Sequence, residues 1–285
     1  MQEVTIIIPN YNGKSLLENC FRTLENQSYK DFKVLVVDNG STDGSTDIKS
    51  DVLDVEWIAL NENLGFCGAV NLAVQKTRTP YVILLNNDTE TDKYFVEWLL
   101  RGIKKSDHIF SCGAQMIDYK NHEILDNAGD LYTAMGWAVA RGKGRPCKDY
   151  ETSKRVFSCC AGAAIYRMDI MRKIGGLDEK HFAYLEDVDL GYRARIAGCM
   201  GKETNGEMQF WTKEEYMKFS KAMMKKDGVF QAFEMLYWCG IRLGEMLALT
   251  PSDFDFEKKT VRINKSYQRL HGKDIITDPK TAKSN

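Results

Sequence analysis

Three carboxylates fall within four residues at Glu186-Asp187-Val188-Asp189, directly ahead of an amphipathic run over 190–197. Such a cluster suits two tasks. It can open a helix, where the macrodipole favours negative charge. It can also supply a proton acceptor, Asp187, with Glu186 holding its geometry or raising its proton affinity. A second acid, Asp88, closes the run Leu84-Leu85-Asn86-Asn87-Asp88. A carboxylate there, helped by the Asn86 amide oxygen, suits Mg2+ or Mn2+, which prefer oxygen ligands and bridge substrate phosphates. A third, Asp38, precedes the tight turn Asn39-Gly40-Ser41 and can accept hydrogen bonds from a nucleobase or ribose. Nucleoside recognition, charge neutralisation at a departing diphosphate and deprotonation of an attacking hydroxyl are the demands of moving a sugar from a nucleoside diphosphate.

These residues need a frame. Short apolar runs at 4–9, 33–38, 55–60 and 81–85 alternate with amphipathic runs at 15–25 and 67–76. The alternation predicts an α/β fold, a mostly parallel sheet with helices on both faces. Ligands of such sheets bind beyond the carboxyl ends of the strands. Polar residues follow each predicted strand: Pro9-Asn10-Tyr11-Asn12, Asp38-Asn39-Gly40-Ser41, Asn61-Glu62-Asn63-Leu64-Gly65 and Asn86-Asn87-Asp88. Any one of these segments is an ordinary turn. Four in succession point into one crevice.

The whole chain has 285 residues, a net charge of -1, 44% hydrophobic and 28% charged residues, so composition gives no pull toward nucleic acid or membrane. Apolar runs are far short of the roughly 20 residues a spanning helix needs, and Met1-Gln2-Glu3 is unlike a signal peptide. The expectation is a cytoplasmic protein, peripheral at most at the inner face of the membrane. Eight cysteines without C-x-x-C spacing read as reduced core thiols.

The texture changes around 198–206. Beyond it, 212–226 and 230–249 have helical periodicity, and 260–266 and 274–277 look like two strands joined at Gly272. This predicts two domains, 1–200 and 201–285. Residues 202–285 carry fifteen Lys and Arg against twelve Asp and Glu, +3, which leaves -4 for the rest. The apolar helices of the tail need cover, so they are expected to pack on each other and to offer a homodimer contact.

Residues 1 to about 200 resemble family 2 of the inverting glycosyltransferases, with the GT-A fold, and especially its rhamnosyltransferase-like members. The matching stretches are Val4 through Asn12 (VTIIIPNYN), Val36 through Ser45 (VVDNGSTDGS), Asn63-Leu64-Gly65-Phe66 with Gly68 and Asn71, Leu84 through Asp88, Gly162-Ala163-Ala164, and Glu186-Asp187. The resemblance implies that Pro9, Tyr11 and Asp38 surround the base and that Asn12 also binds the nucleotide sugar. It places Asn63, Gly65, Phe66, Asn71, Asn86 and Asn87 along the rest of the nucleotide sugar, gives Asp88 the metal and makes Asp187 the catalytic base. It also implies a nucleoside-diphosphate-sugar donor, dTDP- or UDP-linked, and a saccharide or lipid-linked acceptor. Asn86 stands where many relatives carry the first aspartate of an Asp-x-Asp motif, leaving one formal carboxylate. After Gly198 the relatives' acceptor-side segment, often with a histidine near the metal, is not recognisable. None of His108, His122, His181 and His271 stands where that ligand is expected.

Residues 207–285 resemble a second family, the tyrosine recombinases of phages and conjugative transposons, through Gly240-Ile241-Arg242-Leu243-Gly244-Glu245 and Asp278-Pro279-Lys280-Thr281. The resemblance gives Arg242 and Lys280 phosphate-contacting roles. That family's later His-x-x-Arg segment and nucleophilic tyrosine would lie beyond Asn285, and Tyr267 is in the wrong place to substitute, so DNA is not expected as a functional partner. The leading expectation is a metal-assisted inverting glycosyltransferase. The alternatives are a catalytically impaired chimera that only binds the donor nucleotide, and a DNA-binding module of recombinase origin.

Overall fold

The computed structural model describes residues 2–132, 138–198, 243–270 and 273–277. The chain divides into two compact units, Met1–Met208 and Gln209–Asn285.

The first unit is built on a six-stranded sheet. Strand β1 (Val4–Asn10) lies between β2 (Phe32–Asp38) and β4 (Tyr81–Leu85), and β3 (Val55–Ala59) pairs with β2. These four strands are parallel. Strand β10 (Ala163–Arg167) then runs antiparallel to β4, and β5 (Ser111–Gly113) antiparallel to β10, giving the order β3-β2-β1-β4-β10-β5. The strands and helices predicted within the first ninety residues fall within two residues of those observed, because continuous Val, Ile and Leu runs mark strands buried on both faces. What periodicity did not reveal is the antiparallel edge after β4, made by short segments distant in sequence.

Helices α1 (Lys14–Glu25) and α3 (Phe95–Ile103) cover one face, packing Leu17, Phe21, Leu24, Val96, Leu99 and Leu100 against Ile6, Ile8, Val34 and Ile83. Helix α2 (Gly65–Lys76) covers the other, with Val70, Ala73 and Val74 against Ile7, Leu35, Val37 and Leu84. Two smaller helices follow, α4 (Met168–Lys173) and α5 (Glu186–Ile196). Beside the sheet lie two short ribbons: β6 (Met116–Ile117) with β7 (Leu125–Asn127), and β8 (Asp130–Tyr132) with β9 (Ala138–Ala140).

Helix α5 begins four residues earlier than the sequence pattern suggests. Its N-cap, Leu185, is in the left-handed region and supplies no side-chain cap, so Glu186, Asp187 and Asp189 lie inside the first helical turn. Asp189 is engaged at once by Arg193 one turn on, at 2.6 Å. The six described cysteines, Cys20, Cys67, Cys112, Cys147, Cys159 and Cys160, are free thiols. Burial pushes those of Cys20, Cys67, Cys159 and Cys160 up to about 12, which makes them inert as nucleophiles.

In the second unit the helix Leu243–Ala248 packs on β13 (Ser266–Leu270), where a Cβ on Gly244 would stand 2.7 Å from the Tyr267 carbonyl oxygen. Strand β13 pairs antiparallel with β14 (Lys273–Thr277), and Tyr267 Oη donates to Asp274 at 2.7 Å. The strand read over 260–266 is broken: β12 (Thr260–Val261) pairs instead with β11 (Phe254–Asp255). Asp253 bonds Lys265 at 2.7 Å, which holds its carboxyl down to about 2. Arg242, Lys280, the Gly272 turn, His271 and the helix read over 212–226 lie outside the described residues, as does most of that over 230–249. Among the described residues no helix is long and apolar enough to cross a membrane.

Leu84 is fully buried at the centre of β4. Leu84→Ala should lower the stability of the first unit by about 2–5 kcal/mol, read from urea unfolding, because a central strand flanked on both faces cannot collapse onto the vacated volume.

Candidate functional site

The carboxyl ends of the parallel strands are tied together by side chains. In the β1–β2 register Asn10 faces Asp38, and both are almost fully buried. Asn10 Nδ2 donates to Asp38 Oδ1 at 2.9 Å, while Asn10 Oδ1 accepts from Asn87 Nδ2 at 2.7 Å. One amide thus joins the ends of β1, β2 and β4. The backbone N–H of Asn39 donates to the Asn10 carbonyl. Ser41 donates to both Asp38 oxygens, from its backbone N–H at 2.8 Å and its hydroxyl at 2.6 Å. Asn12, in the left-handed region that asparagine tolerates, gives its N–H to Ser41 Oγ and accepts from Thr42 N–H. Gly13 is required here, since a Cβ would lie 2.3 Å from Asn87 Nδ2.

The third strand end joins the same edge. Leu60 N–H donates to the Asp38 carbonyl, Leu64 N–H to Asn39 Oδ1, and Gly65 N–H to Asn63 Oδ1. Tyr11 is exposed beyond Pro9, which is half-buried, and Asp88 is exposed beyond Asn86 and Asn87. Asp38 spends most of its acceptor capacity inside the protein, keeping one lone pair of Oδ2 to offer a ligand.

Asp187 stands across this edge. Its Oδ2 accepts from Ala161 N–H at 3.3 Å and its Oδ1 from Val188 N–H at 2.8 Å. The next carbonyl, Gly162, accepts from Asn86 N–H at 2.9 Å. The turn 160–162 therefore fixes Asp187 relative to the end of β4. Burial, then the charges of Asp130 and Glu186, raise the Asp187 carboxyl to about 7. Asp130 and Glu186 are themselves raised by burial. Asp130 is anchored by Asn127 at 3.0 Å and Ser158 at 3.3 Å; Glu186 Oε2 is buried and has no hydrogen-bond partner among the described residues. A carboxylate poised near neutral pH can take a proton from a hydroxyl.

The loop ahead of α5 carries backbone strain. Phe182, Tyr184 and Leu185 all have positive φ, a conformation that costs non-glycine residues of order 1–3 kcal/mol each. Phe182 seats on the start of α2, where a Cβ on Gly65 would meet its ring at 2.6 Å, and its carbonyl accepts from Cys67 N–H. Asn71 is spent on this loop too, donating to the Leu177 carbonyl and accepting from Leu177 N–H, both at 2.9 Å. Asn71 thus positions the loop, and Phe66 packs at the edge of the core. His181 is half-buried in the loop, whereas His108 and His122 are surface residues.

The donor-side residues Pro9, Tyr11, Asn12, Asp38, Asn63, Gly65, Asn86, Asn87 and Asp88 share one edge, with Asp187 and Glu186 opposite. Asn10 and Asp130 were not singled out by the sequence. Asn10 sits inside a turn-like motif, and its partnership with Asp38 exists only through strand register. Asp130, isolated in Asn127-Ala128-Gly129-Asp130, gains significance from burial alone. Among the described residues no group of three His, Cys, Asp or Glu is placed to hold a metal. Asp88 is exposed and has no hydrogen bond or ion pair among the described residues. This donor set fits a hard cation that takes one protein carboxylate and completes its shell from diphosphate and water.

The sheet order, with an antiparallel strand beyond β4 and ligand-binding residue types at the carboxyl edge, is that of a GT-A-type fold. Residues 5–175 match the sequence profile of glycosyl transferase family 2, and the chain belongs to that family. It is 24% identical over 222 residues to the N-acetylglucosaminyl-diphospho-decaprenol L-rhamnosyltransferase of Mycobacterium tuberculosis, covering 68% of this chain and 71% of that one. It is 28% identical over 116 residues to the teichoic acid poly(glycerol phosphate) polymerase of Staphylococcus epidermidis, 39% of this chain. The chain spans only 16% of that polymerase. Among solved structures it resembles S. aureus TarS 1–349 in complex with UDP, with a TM-score of 0.56 at 16% identity, covering 89% of this chain and 77% of the other.

The raised Asp187 has a thermodynamic signature. An unfolded aspartate titrates at about 4, the folded one at about 7. Between those values the folded state holds the extra proton, so this group lowers stability as pH rises through the window. Asp187→Asn should therefore raise the melting temperature about three times as much at pH 8 as at pH 5. Equal shifts at both pH values in calorimetry would show that ionisation is not the source.

Proposed function

We propose that the first unit binds a nucleoside-diphosphate-sugar at the carboxyl edge of β1, β2 and β4 and transfers the sugar with inversion to an acceptor hydroxyl. The observation that carries this reading is Asp187, a buried carboxylate raised to about 7 and locked by the 160–162 turn to the strand end bearing Asn86, Asn87 and Asp88. Asp187 takes the acceptor proton as the acceptor oxygen forms its bond to the anomeric carbon. The bond from that carbon to the diphosphate oxygen breaks on the opposite side, and the diphosphate leaves with the electron pair. Asp88, with Asn86 beside it, would hold Mg2+ or Mn2+, which supplies positive charge to the departing diphosphate. Glu186 and Asp130 act through Asp187 by keeping its proton affinity high.

The TarS structures with UDP and UDP-GlcNAc, the GalNAc-T7 structure with UDP and Mn2+ and the mycobacterial relative support a UDP- or dTDP-linked donor, a divalent metal and a saccharide or lipid-linked acceptor in polysaccharide synthesis. A lipid-linked acceptor would bring the protein to the membrane surface as a peripheral partner. For residues 209–285 the likeness to a tyrosine recombinase fragment stays a proposal, supported by a helix followed by small antiparallel ribbons, and we assign that unit no part in sugar transfer.

Calorimetric titration with UDP and with dTDP tests the donor site: one of them should bind in the presence of Mn2+, and Asp88→Ala should weaken it about tenfold or more. Absence of binding by both would sink the reading. If Asp187 is the base, kcat/KM should rise about tenfold per pH unit below about 7 and level off above it. Asp187→Asn should cut turnover by about 10²–10⁴ while leaving nucleotide affinity intact.

A further inference from the structure

One recess of the first unit has no part in the donor site. It measures about 590 Å³ and is lined by Leu131, Arg141, Arg145, Asp149, Tyr150, Lys154 and Arg155. Four cations thus meet one carboxylate, in a unit whose residues outside 202–285 sum to -4. Electrostatic potential at this spot opposes the sign of its surroundings, and concave walls focus it.

The recess is built, not a chance gathering of surface side chains. The run Arg141-Gly142-Lys143-Gly144-Arg145 turns through two positive-φ glycines, and a Cβ on Gly142 would meet Leu125 and the Tyr150 ring at 2.9 Å. Backbone bonds clamp the turn to β7 and the segment after it: Leu125 N–H to the Arg145 carbonyl, Gly144 N–H to the Leu125 carbonyl, Arg141 N–H to the Gly129 carbonyl. Arg141 lies 4.8 Å over the Tyr150 ring and donates to the Ala128 carbonyl at 3.1 Å. Lys143, between the two arginines, turns away to pair with Asp126. Arg145 and Lys154 are exposed and have no ion pair among the described residues. The turn therefore presents alternate cations to one recess and neutralises the one that points elsewhere.

Its position relates it to the acceptor side. Leu131 follows Asp130, the buried acid whose charge raises Asp187, and because successive strand side chains alternate, the recess and the base cluster lie on opposite faces of β8. We propose that this recess anchors a phosphate ester carried by the acceptor, at a distance from the hydroxyl that reacts. Guanidinium groups pair with phosphate oxygens in bidentate fashion, and Asp149 and Tyr150 offer hydrogen bonds to neighbouring hydroxyls. The recess is open to solvent on one side, and a cation-lined hollow suits a phosphorylated chain better than the flat headgroup layer of a membrane. This inference rests on the glycosyltransferase reading and names the chemical class of its acceptor.

The test uses the full chain with Mn2+, saturating UDP or dTDP, and a short synthetic glycerol phosphate oligomer as titrant. Binding should be salt-sensitive, and the double variant Arg145→Glu/Lys154→Glu should weaken it about tenfold or more while UDP affinity and the circular dichroism spectrum stay unchanged. Milder Arg145→Gln should fall between. Equal binding by wild type and double variant, or equal binding of an uncharged oligosaccharide of the same length, would overturn the proposal. So would charge-dependent binding to vesicles containing anionic lipid with none to the oligomer, which would make the recess a membrane contact. UDP binding without oligomer binding removes the phosphate anchor and leaves the donor site standing. Variant-sensitive oligomer binding with neither UDP nor dTDP binding in the presence of Mn2+ removes the donor reading instead.

Discussion

The Asn10 side chain holds three strand ends at fixed spacing, and the donor edge depends on that one amide. It donates to Asp38 and accepts from Asn87, both from a position closed to water. A buried amide whose partners withdraw carries a desolvation cost of about 1–3 kcal/mol. The network is thus satisfied only when β1, β2 and β4 lie in their observed register. That register places the turns after each strand side by side. Asp38, often pictured as a ligand group, is first a structural acceptor for Asn10 and Ser41. Its remaining lone pair is what a nucleotide could use.

Opposite this edge the controlling quantity is dehydration. Asp130, Glu186 and Asp187 are gathered where water is scarce; burial raises all three, the charge of Asp130 adds to Glu186, and those of Asp130 and Glu186 add to Asp187. The arrangement costs stability at neutral pH, a cost that the proposed role of Asp187 as proton acceptor would account for. Strain in the Phe182–Leu185 backbone and the spent side chain of Asn71 belong to the same economy: helix α5 must begin where Asp187 meets the 160–162 turn, and the loop before it bends to allow this.

The two charged regions of the unit divide the work by sign. Buried carboxylates cluster at Asp130, Glu186 and Asp187, and cations cluster in the Arg141–Arg155 recess. Both depend on tight turns. Gly13 and Gly65 let side chains approach the donor edge closely, and Gly142 lets the basic turn lie against Tyr150.

Periodicity alone determined the parallel core, since runs of Val, Ile and Leu buried on both faces leave few other solutions. It also placed Asp38, Asn63, Asn87 and Asp88 at strand ends, because those residues follow their strands directly in the chain. What it could not decide were properties that arise between distant segments. The start of α5 was misjudged because its N-terminal residue is a left-handed leucine with no capping side chain. Strand β10 was not foreseen because its pairing with β4 spans about eighty residues of intervening chain. The tie of Asn71 to the Leu177 loop could not be read from the chain either. Asn10, Asp130 and the basic recess became visible only in three dimensions, because register, burial and the convergence of like charges are relations among residues, and no single stretch of sequence contains them.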